Sequence, residues 1–293
     1  MGKKFNCDYL EVLEDLDLLE NTLPSEDLSN PLKPETEEIT VTAFTDDHFP
    51  NFLKSHRQFR KLYPHKKFLI YGLNVSVSTI SLLNQHFSSP NDHWEFRAFN
   101  YSKYPSYVGN WMEYRFKFLI IAEVLKEYSN VWWNDAHNTI HVKGYMEILY
   151  DHIAKEANET WIQNSSSISS IYSNVHTMHS NLAVFNPGLL FYFPVSIPML
   201  KRERQLGANN FYIGRTPQSL EIMNWMVLCS LEKDCMNPTG AQVTCGFSND
   251  FFGKWGKCFR FDQSVLNVLL LNQYGSHKKF KSPVAAVGNA GRV

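Results

Sequence analysis

From residue 48 onward, amphipathic helical segments alternate with short apolar segments, and this alternation constrains the fold more than any other feature of the sequence. The helical segments repeat apolar residues three or four positions apart, whereas the short segments have the length and composition of buried strands. Such a succession is typical of layered α/β proteins. The sequence therefore predicts a single α/β domain with a mostly parallel central sheet flanked by helices.

The predicted elements run through most of the chain. Helices are predicted over 49–63, 77–87, 110–128, 143–157, 218–231 and 262–272. Strands are predicted over 67–72, 94–99, 131–133 and 211–214, with a strand-like run over 182–193 that is interrupted at 186–188. Because ligands bind at the carboxyl ends of the strands in such sheets, we expect the site near 72–74, near 134–138 and after Ile213.

The two ends of the chain differ in composition from its middle. The 293 residues have a formal net charge of −1, yet residues 1–40 carry 11 acidic and 3 basic side chains. The remainder is only mildly basic, so no global basic field is present to recruit nucleic acid. We expect residues 1–45 to form an acidic, partly disordered tail and linker, residues 46–275 the domain, and residues 276–293 a basic, low-complexity tail.

Four of the five cysteines lie close together, at Cys229, Cys235, Cys245 and Cys258. Their spacing does not match the paired C-x-x-C motifs of a structural zinc site. Disulfide bonds would crosslink a loop-rich segment and require an oxidising compartment, whereas reduced, buried cysteines would suit the cytosol. The loop-like sequence at 237–240 favours disulfides and leaves their connectivity open.

Asp135 and His137 follow the predicted strand 131–133 and are the most informative polar pair. At the end of a buried strand both side chains can face one cleft, where they can ligate a divalent cation that holds a nucleotide-sugar diphosphate. The structural alternative is an ordinary strand-end turn, in which Asp135 caps the next element.

Further candidates lie on two predicted helices. Arg115 and Lys117 stand among large apolar residues, so each either extends to the surface or binds a phosphate. Asp262 begins a late apolar helix, where it either caps the helix or lies beside a reacting hydroxyl. In the second case Gln263 would orient the substrate through hydrogen bonds.

His176 and His179 are spaced three residues apart, which would place them on one face of a helix. Because no third ligand is near in sequence, a structural or acceptor-side role is favoured over metal binding.

Three motifs in this order resemble the GT-A class of nucleotide-sugar-dependent glycosyltransferases. They are Glu-Tyr-Arg-Phe-Lys at 113–117, Val-Trp-Trp-Asn-Asp at 131–135 and Cys-Phe-Arg-Phe-Asp-Gln-Ser at 258–264. With the cysteine cluster, they look like a nematode-expanded, largely uncharacterised family of such domains, over about residues 60–275. The resemblance implies a GT-A-like (Rossmann-like) domain that transfers a sugar from a nucleotide-sugar donor to a hydroxyl of a glycan or glycoprotein.

The resemblance also implies a donor site. Asp135 matches the first acidic residue of the Asp-x-Asp motif that binds metal and nucleotide, and His137 stands at the second acidic position. Lys117 matches the helix lysine that faces the donor diphosphate, and Arg115 is assigned to the same set. His277 matches a late histidine that completes the ligation of a divalent metal such as manganese.

Asp262 and Gln263 match the catalytic Asp-Gln pair that lines the sugar and acceptor pocket in this class. The alternative function is a catalytically inactive module of the same fold that binds glycan or a protein partner, and the imperfect metal motif favours it.

The resemblance and the cysteines place the protein in the lumen of the secretory pathway, in the Golgi. Enzymes of this class are usually membrane-anchored, whereas this sequence shows no signal peptide and no apolar run long enough to span a bilayer. The expectation is then an incomplete start or another route of delivery, and the cytoplasm stays open as a location.

Overall fold

A computed structural model describes residues 2–19, 38–89, 93–160 and 168–289. Six strands form the central sheet: β1 (Glu38–Phe44), β2 (Phe68–Gly72), β3 (Trp94–Ala98), β4 (Asn130–Asn134), β6 (Ile171–Ser173) and β9 (Asn210–Gly214). Two strand pairs lie outside it: β5 (Asn138–Ile140) with β10 (Val287–Asn289), and β7 (His176–Ser180) with β8 (Arg204–Leu206).

The central sheet has the strand order β3-β2-β1-β4-β9-β6. β3, β2, β1 and β4 are parallel to one another, whereas β9 is antiparallel to both β4 and β6. The prediction of an α/β domain with a mostly parallel central sheet is therefore confirmed.

The described helices are α1 (Leu10–Asp15), α2 (Phe49–Leu62), α3 (Val77–His86), α4 (Arg115–Leu125), α5 (Tyr145–Thr160), α6 (Ile197–Arg202), α7 (Pro217–Leu231), α8 (Lys233–Met236) and α9 (Asp262–Tyr274). Because side chains alternate across a strand, Trp132 and Trp133 face opposite layers. Trp133 belongs to an apolar cluster with residues of α4, α7 and α9, and Trp132 to a second cluster with residues of α2, α3 and α5. Helices thus cover both faces of the sheet.

β1 corrects the predicted domain boundary, because this strand lies before residue 46 and pairs with both β2 and β4. Its alternating Ile39-Thr40-Val41-Thr42 sequence is a strand pattern that follows directly on a highly acidic stretch. Leu13 and Leu16 are also buried in the core, so the first residues pack on the domain. Residues 20–37 of the predicted tail and linker lie outside the described residues.

Three further expectations were wrong. The run over 182–193 forms 3-10 turns at Leu182–Val184 and Pro187–Phe191, because a proline removes a donor that a strand ladder needs. Within the predicted C-terminal tail, β10 pairs with β5. His176 and His179 lie in β7, not on a helix, since β8 supplies strand partners from a distant part of the chain.

Two disulfides join the clustered cysteines, Cys229 to Cys235 and Cys245 to Cys258, and Cys7 is free and exposed. The preference for disulfides over reduced cysteines is confirmed. None of the helices in the described ranges is long and apolar enough to cross a bilayer.

Candidate active site

A cleft of about 570 Å³ opens where β4 ends, between the start of α4, β7, the turn before β9 and the start of α9. The charged, imidazole and amide side chains that line it include Lys117, Asp135, His137, Arg260, Asp262 and Gln263. It therefore lies at the sheet edge where ligands of parallel α/β proteins bind.

Lys117 joins the two carboxylates of the cleft. Its Nζ lies 2.7 Å from Asp262 Oδ2 and 3.2 Å from Asp135 Oδ1, and it donates a hydrogen bond of 2.9 Å to the carbonyl of Ala208. Only 3% of the lysine side chain and 5% of the Asp262 side chain are exposed. Because the three N–H groups of the ammonium have three neighbouring oxygens, Lys117 positions the two acids and does not extend into the cleft towards a phosphate.

The charges of this cluster are strongly coupled. Burial lowers the pKa of Lys117, but the carboxylates of Asp135 and Asp262 outweigh burial, so that the net shift is upward and the lysine stays charged. Burial raises the pKa of Asp262 to about 6, although Lys117 opposes this shift. Asp262 therefore changes charge close to neutral pH, which suits a group that exchanges protons.

Backbone strain lies next to both members of the Lys117–Asp262 pair. Phe261, directly before Asp262, has φ 42° and ψ −115°, and Tyr114, directly before α4, has φ 55° and ψ 20°. Such conformations cost on the order of 1–3 kcal/mol each for residues with side chains and cluster at functional sites. The carboxylate of Asp262 forms a buried ion pair with Lys117. The expectation that Asp262 merely caps α9 therefore does not account for its surroundings.

Gln263 is fixed beside Asp262 by the strand pair β7–β8 and the turn after it. Its Oε1 accepts the backbone N–H of Ala208 at 3.4 Å, and its Nε2 donates to Gln205 Oε1 at 2.5 Å. The predicted pair of Asp262 and Gln263 is thus brought together at the cleft.

Asp135 is held by its own strand and by the turn before β9. The indole Nε1 of Trp133 donates to Asp135 Oδ1 at 2.6 Å, and the backbone N–H of Asp135 donates to the carbonyl of Asn209 at 2.8 Å. Both carboxylates therefore have fixed positions on one wall of the cleft.

Sequence reasoning missed an amide network behind Asp135. Asn138 and Asn210 both donate to Asn134 Oδ1, at 3.1 and 2.8 Å, and Asn209 donates to Asn138 Oδ1 at 2.8 Å. Asn134, Asn138 and Asn210 are almost fully buried. The only signal in the sequence was the occurrence of asparagine pairs at 134/138 and 209/210, at the end of one strand and the start of another.

The structure does not assemble the predicted metal set. Asp135 and His137 line the cleft, but His277 lies elsewhere, with Nδ1 2.7 Å from Glu203 Oε2. The residues that the structure describes contain no group of three or more His, Cys, Asp or Glu side chains able to hold a metal ion. Asp135 Oδ1 is, moreover, already contacted by Trp133 and Lys117. The described residues therefore do not fit the three-ligand manganese site implied by the resemblance.

Arg115 does not have the role that was predicted for it at the donor site. It lies outside the cleft and is fully buried. Its guanidinium pairs with Glu113 at 2.5 Å and donates to the carbonyls of Ser230, Glu232 and Lys233 at 2.7–3.0 Å. The Ser230 carbonyl lies in the last turn of α7, where carbonyls lack intrahelical donors, and the other two lie just beyond it. Arg115 neither extends to the surface nor faces a phosphate; it connects α4 to the end of α7.

Comparison with known proteins gives one family match and several structural likenesses. A model of a family described as "Protein of unknown function (DUF1647)" matches residues 1–122. No curated protein matches the sequence.

The solved structures similar to this chain include three glycosyltransferases. The mannosyltransferase Ktr4p from S. cerevisiae in complex with GDP has a TM-score of 0.45 and 10% identity, over 99% of this chain and 82% of that chain. The galactosyltransferase LgtC, in complex with donor and acceptor sugar analogs, has a TM-score of 0.42 and 10% identity, over 79% and 70%. The core-mannan synthase A from Aspergillus fumigatus, in a Mn/GDP form, has a TM-score of 0.41 and 9% identity, over 84% and 72%. At these levels of similarity, the likenesses assign no activity to this chain.

Proposed function

We propose that this protein is a glycosyltransferase that passes a sugar from a nucleotide-sugar donor to a hydroxyl of a glycan or glycoprotein. The observation that carries the proposal is the placement of Asp135, Lys117 and Asp262 in one buried cluster at the carboxyl end of β4. The motif resemblance of the three segments that supply these residues supports it.

In this proposal each residue has a separate task. The acceptor oxygen forms a bond to the anomeric carbon of the donor sugar, the bond from that carbon to the diphosphate breaks, and the Asp262 carboxylate takes the hydroxyl proton. Gln263 orients the sugar, and Asp135 contacts the donor side of the cleft. Lys117 keeps both carboxylates in place through its two ion pairs. We assign no step to a metal ion.

The test is an assay of nucleoside diphosphate release by the purified protein. UDP-glucose, UDP-galactose, UDP-N-acetylglucosamine and GDP-mannose are supplied in turn, with manganese and with a chelator. We expect release from at least one donor by the wild type and a loss of release in Asp135→Asn. Absence of release and of transfer with every donor, under both metal conditions, would contradict the proposal.

The second candidate is a catalytically inactive module that binds glycan or a protein partner. The dispersed metal set, with His277 paired to Glu203, favours this candidate. Calorimetry separates the two, because a module of this kind would bind a saccharide or nucleotide without turning over any donor.

We further propose a lumenal location in the Golgi. The disulfides Cys229–Cys235 and Cys245–Cys258 support it, because disulfides persist in oxidising compartments. Membership of a nematode-expanded family stays a prediction. Localisation of a tagged full-length protein to the cytosol would contradict the proposed location.

A further inference from the structure

The segment between Cys245 and Cys258, here named the disulfide loop, exposes two large aromatic side chains. Trp255 is 51% exposed and Phe251 is 43% exposed. Single exposed apolar residues are common on protein surfaces, but a group of them beside a cleft marks a binding surface. Met178, which lines the cleft from β7, is also largely exposed, at 71%.

The disulfide loop is attached to the wall of the cleft. The backbone N–H of Ser180 in β7 donates to the carbonyl of Phe251 at 3.0 Å, and its hydroxyl donates to the carbonyl of Phe252 at 2.8 Å. The ring of Phe247 lies 5.2 Å from the ring of His179, which lines the cleft, and 5.4 Å from the ring of Phe251. Phe247 and Phe251 are therefore continuous with the cleft.

Gly256 fixes the backbone next to the exposed Trp255. Its N–H donates to the carbonyl of Ala183 at 2.7 Å. A Cβ at this position would lie 2.9 Å from that carbonyl oxygen and 3.1 Å from the ring of Phe247, so the close approach requires glycine. The neighbouring Trp255 is thereby presented from a fixed backbone, which reduces the entropy lost when it contacts a ligand.

The same face of the molecule is basic. The disulfide loop has one acidic residue, Asp250, whose carboxylate is bonded to the backbone N–H groups of Phe252 and Gly253. The cations of the loop and its surroundings are exposed or half-exposed: Lys201, Arg204, Lys254, Lys257 and Arg260. Arg204 lies over the ring of Phe252, and Lys201 and Lys254 both interact with the Asp250 carboxylate. A ligand of this surface therefore needs both apolar faces and negative charge.

We propose that the disulfide loop binds an anionic saccharide, a sugar chain with carboxylate or sulfate groups, which the cleft uses as its acceptor. The apolar face of a pyranose ring packs on Trp255, and the acidic groups pair with Lys254 and Lys257. The role of this saccharide as an acceptor rests on the proposed function, whereas its binding does not depend on sugar transfer.

The experiment is a calorimetric titration of the full chain, with its disulfides intact, against two saccharides of equal length. A chondroitin sulfate hexasaccharide is the anionic probe and maltohexaose the neutral one. We expect at least tenfold tighter binding of the anionic probe, with an affinity that falls as salt is raised. Trp255→Ala and the double variant Lys254→Ala/Lys257→Ala should each weaken binding about tenfold or more.

Trp225→Ala is the matched control, because Trp225 on α7 is 40% exposed and contacts Phe5 and Phe193 instead of the disulfide loop. It should bind the anionic probe as the wild type does. Equal affinity for both hexasaccharides, equal binding by Trp255→Ala, or equal affinity for a glutamate hexapeptide would overturn the proposal.

Titration of the same samples with UDP and GDP keeps the two hypotheses apart. Unchanged nucleotide binding by Trp255→Ala, together with weakened saccharide binding, supports a separate acceptor surface. Failure of the wild type to bind either nucleotide counts against the proposed transferase and against the use of the saccharide as an acceptor.

Discussion

The Nζ atom of Lys117 lies 2.7 Å from Oδ2 of Asp262, so the first turn of α4 provides the counter-ion for the first residue of α9. Both side chains are almost completely buried. A buried charge without a partner costs several kcal/mol, so neither residue can change without consequences for the other. The pair therefore links the packing of two helices to the charge of the cleft.

Lys117→Met should destabilise the protein by about 3–5 kcal/mol, because it leaves the carboxylates of Asp135 and Asp262 close together without a cation. Urea unfolding followed by circular dichroism measures the change. The double variant Lys117→Met/Asp262→Asn should recover part of the loss, since it removes one of the two stranded charges. Lys155→Met, at an exposed lysine of α5, is the control and should change the free energy of unfolding by about 0.5 kcal/mol or less. A similar small effect at both lysines would contradict the ion-pair role.

Asp262→Asn should lower turnover about 10²–10⁴-fold, because the amide keeps the shape of the carboxylate but cannot take a proton at neutral pH. In the wild type, activity should rise with pH around an apparent pKa of about 6, and this rise should be missing from the residual activity of the variant. Asp151→Asn, at an exposed acid on α5, is the control and should be fully active. Normal transfer by Asp262→Asn would leave this residue a structural role only.

Local patterns in the sequence were sufficient to predict most of the described helices, four sheet strands and five of the residues that line the cleft. Asp135 could be found because it follows an apolar strand, and Asp262 because it begins an apolar helix. Their common contact with Lys117 could not be predicted, since it depends on how distant segments pack. Arg115 shows the reverse case: its apolar neighbours suggested extension to the surface or phosphate binding, whereas three backbone carbonyls accept its hydrogen bonds.

The stability of the protein should depend on pH through Asp262. Its pKa lies at about 6 in the folded protein and at its ordinary value of 3.8 in the unfolded chain. Between these values the folded state holds a proton that the unfolded state has released, so the free energy of unfolding falls as pH rises. The contribution, about 3 kcal/mol, is present below pH ~4 and lost above pH ~6.

The measurement is the difference in the free energy of unfolding between the wild type and Asp262→Asn, at several pH values across that window. The wild type should lose stability relative to the variant as pH increases. Parallel pH curves for the two proteins would mean that the pKa of Asp262 is not raised by folding.

Arg115→Ala tests the structural role of a residue that the motif resemblance assigns to the donor. The change leaves Glu113 buried without a cation and removes the guanidinium that donates to three carbonyls, so we expect a loss of about 3–5 kcal/mol. Donor affinity, measured by calorimetry well below the melting temperature of the variant, should stay within about twofold of the wild type. A strong loss of donor affinity in a fully folded variant would restore the donor role.

Removal of the Cys245–Cys258 disulfide should destabilise the protein and loosen one edge of the cleft. The bond closes a loop with a sequence separation of 13, and both Val243 and Arg260, which flank it, line the cleft. The entropy of loop closure gives an expected cost of about 3 kcal/mol for the double variant Cys245→Ser/Cys258→Ser.

The matched variant Cys229→Ser/Cys235→Ser opens a loop with a separation of only 6, so its loop-closure cost should be smaller. Thermal unfolding of both variants, together with mass mapping of the wild type under non-reducing conditions, measures these effects. Four free thiols in the mapped wild type would remove this prediction and the argument for an oxidising compartment.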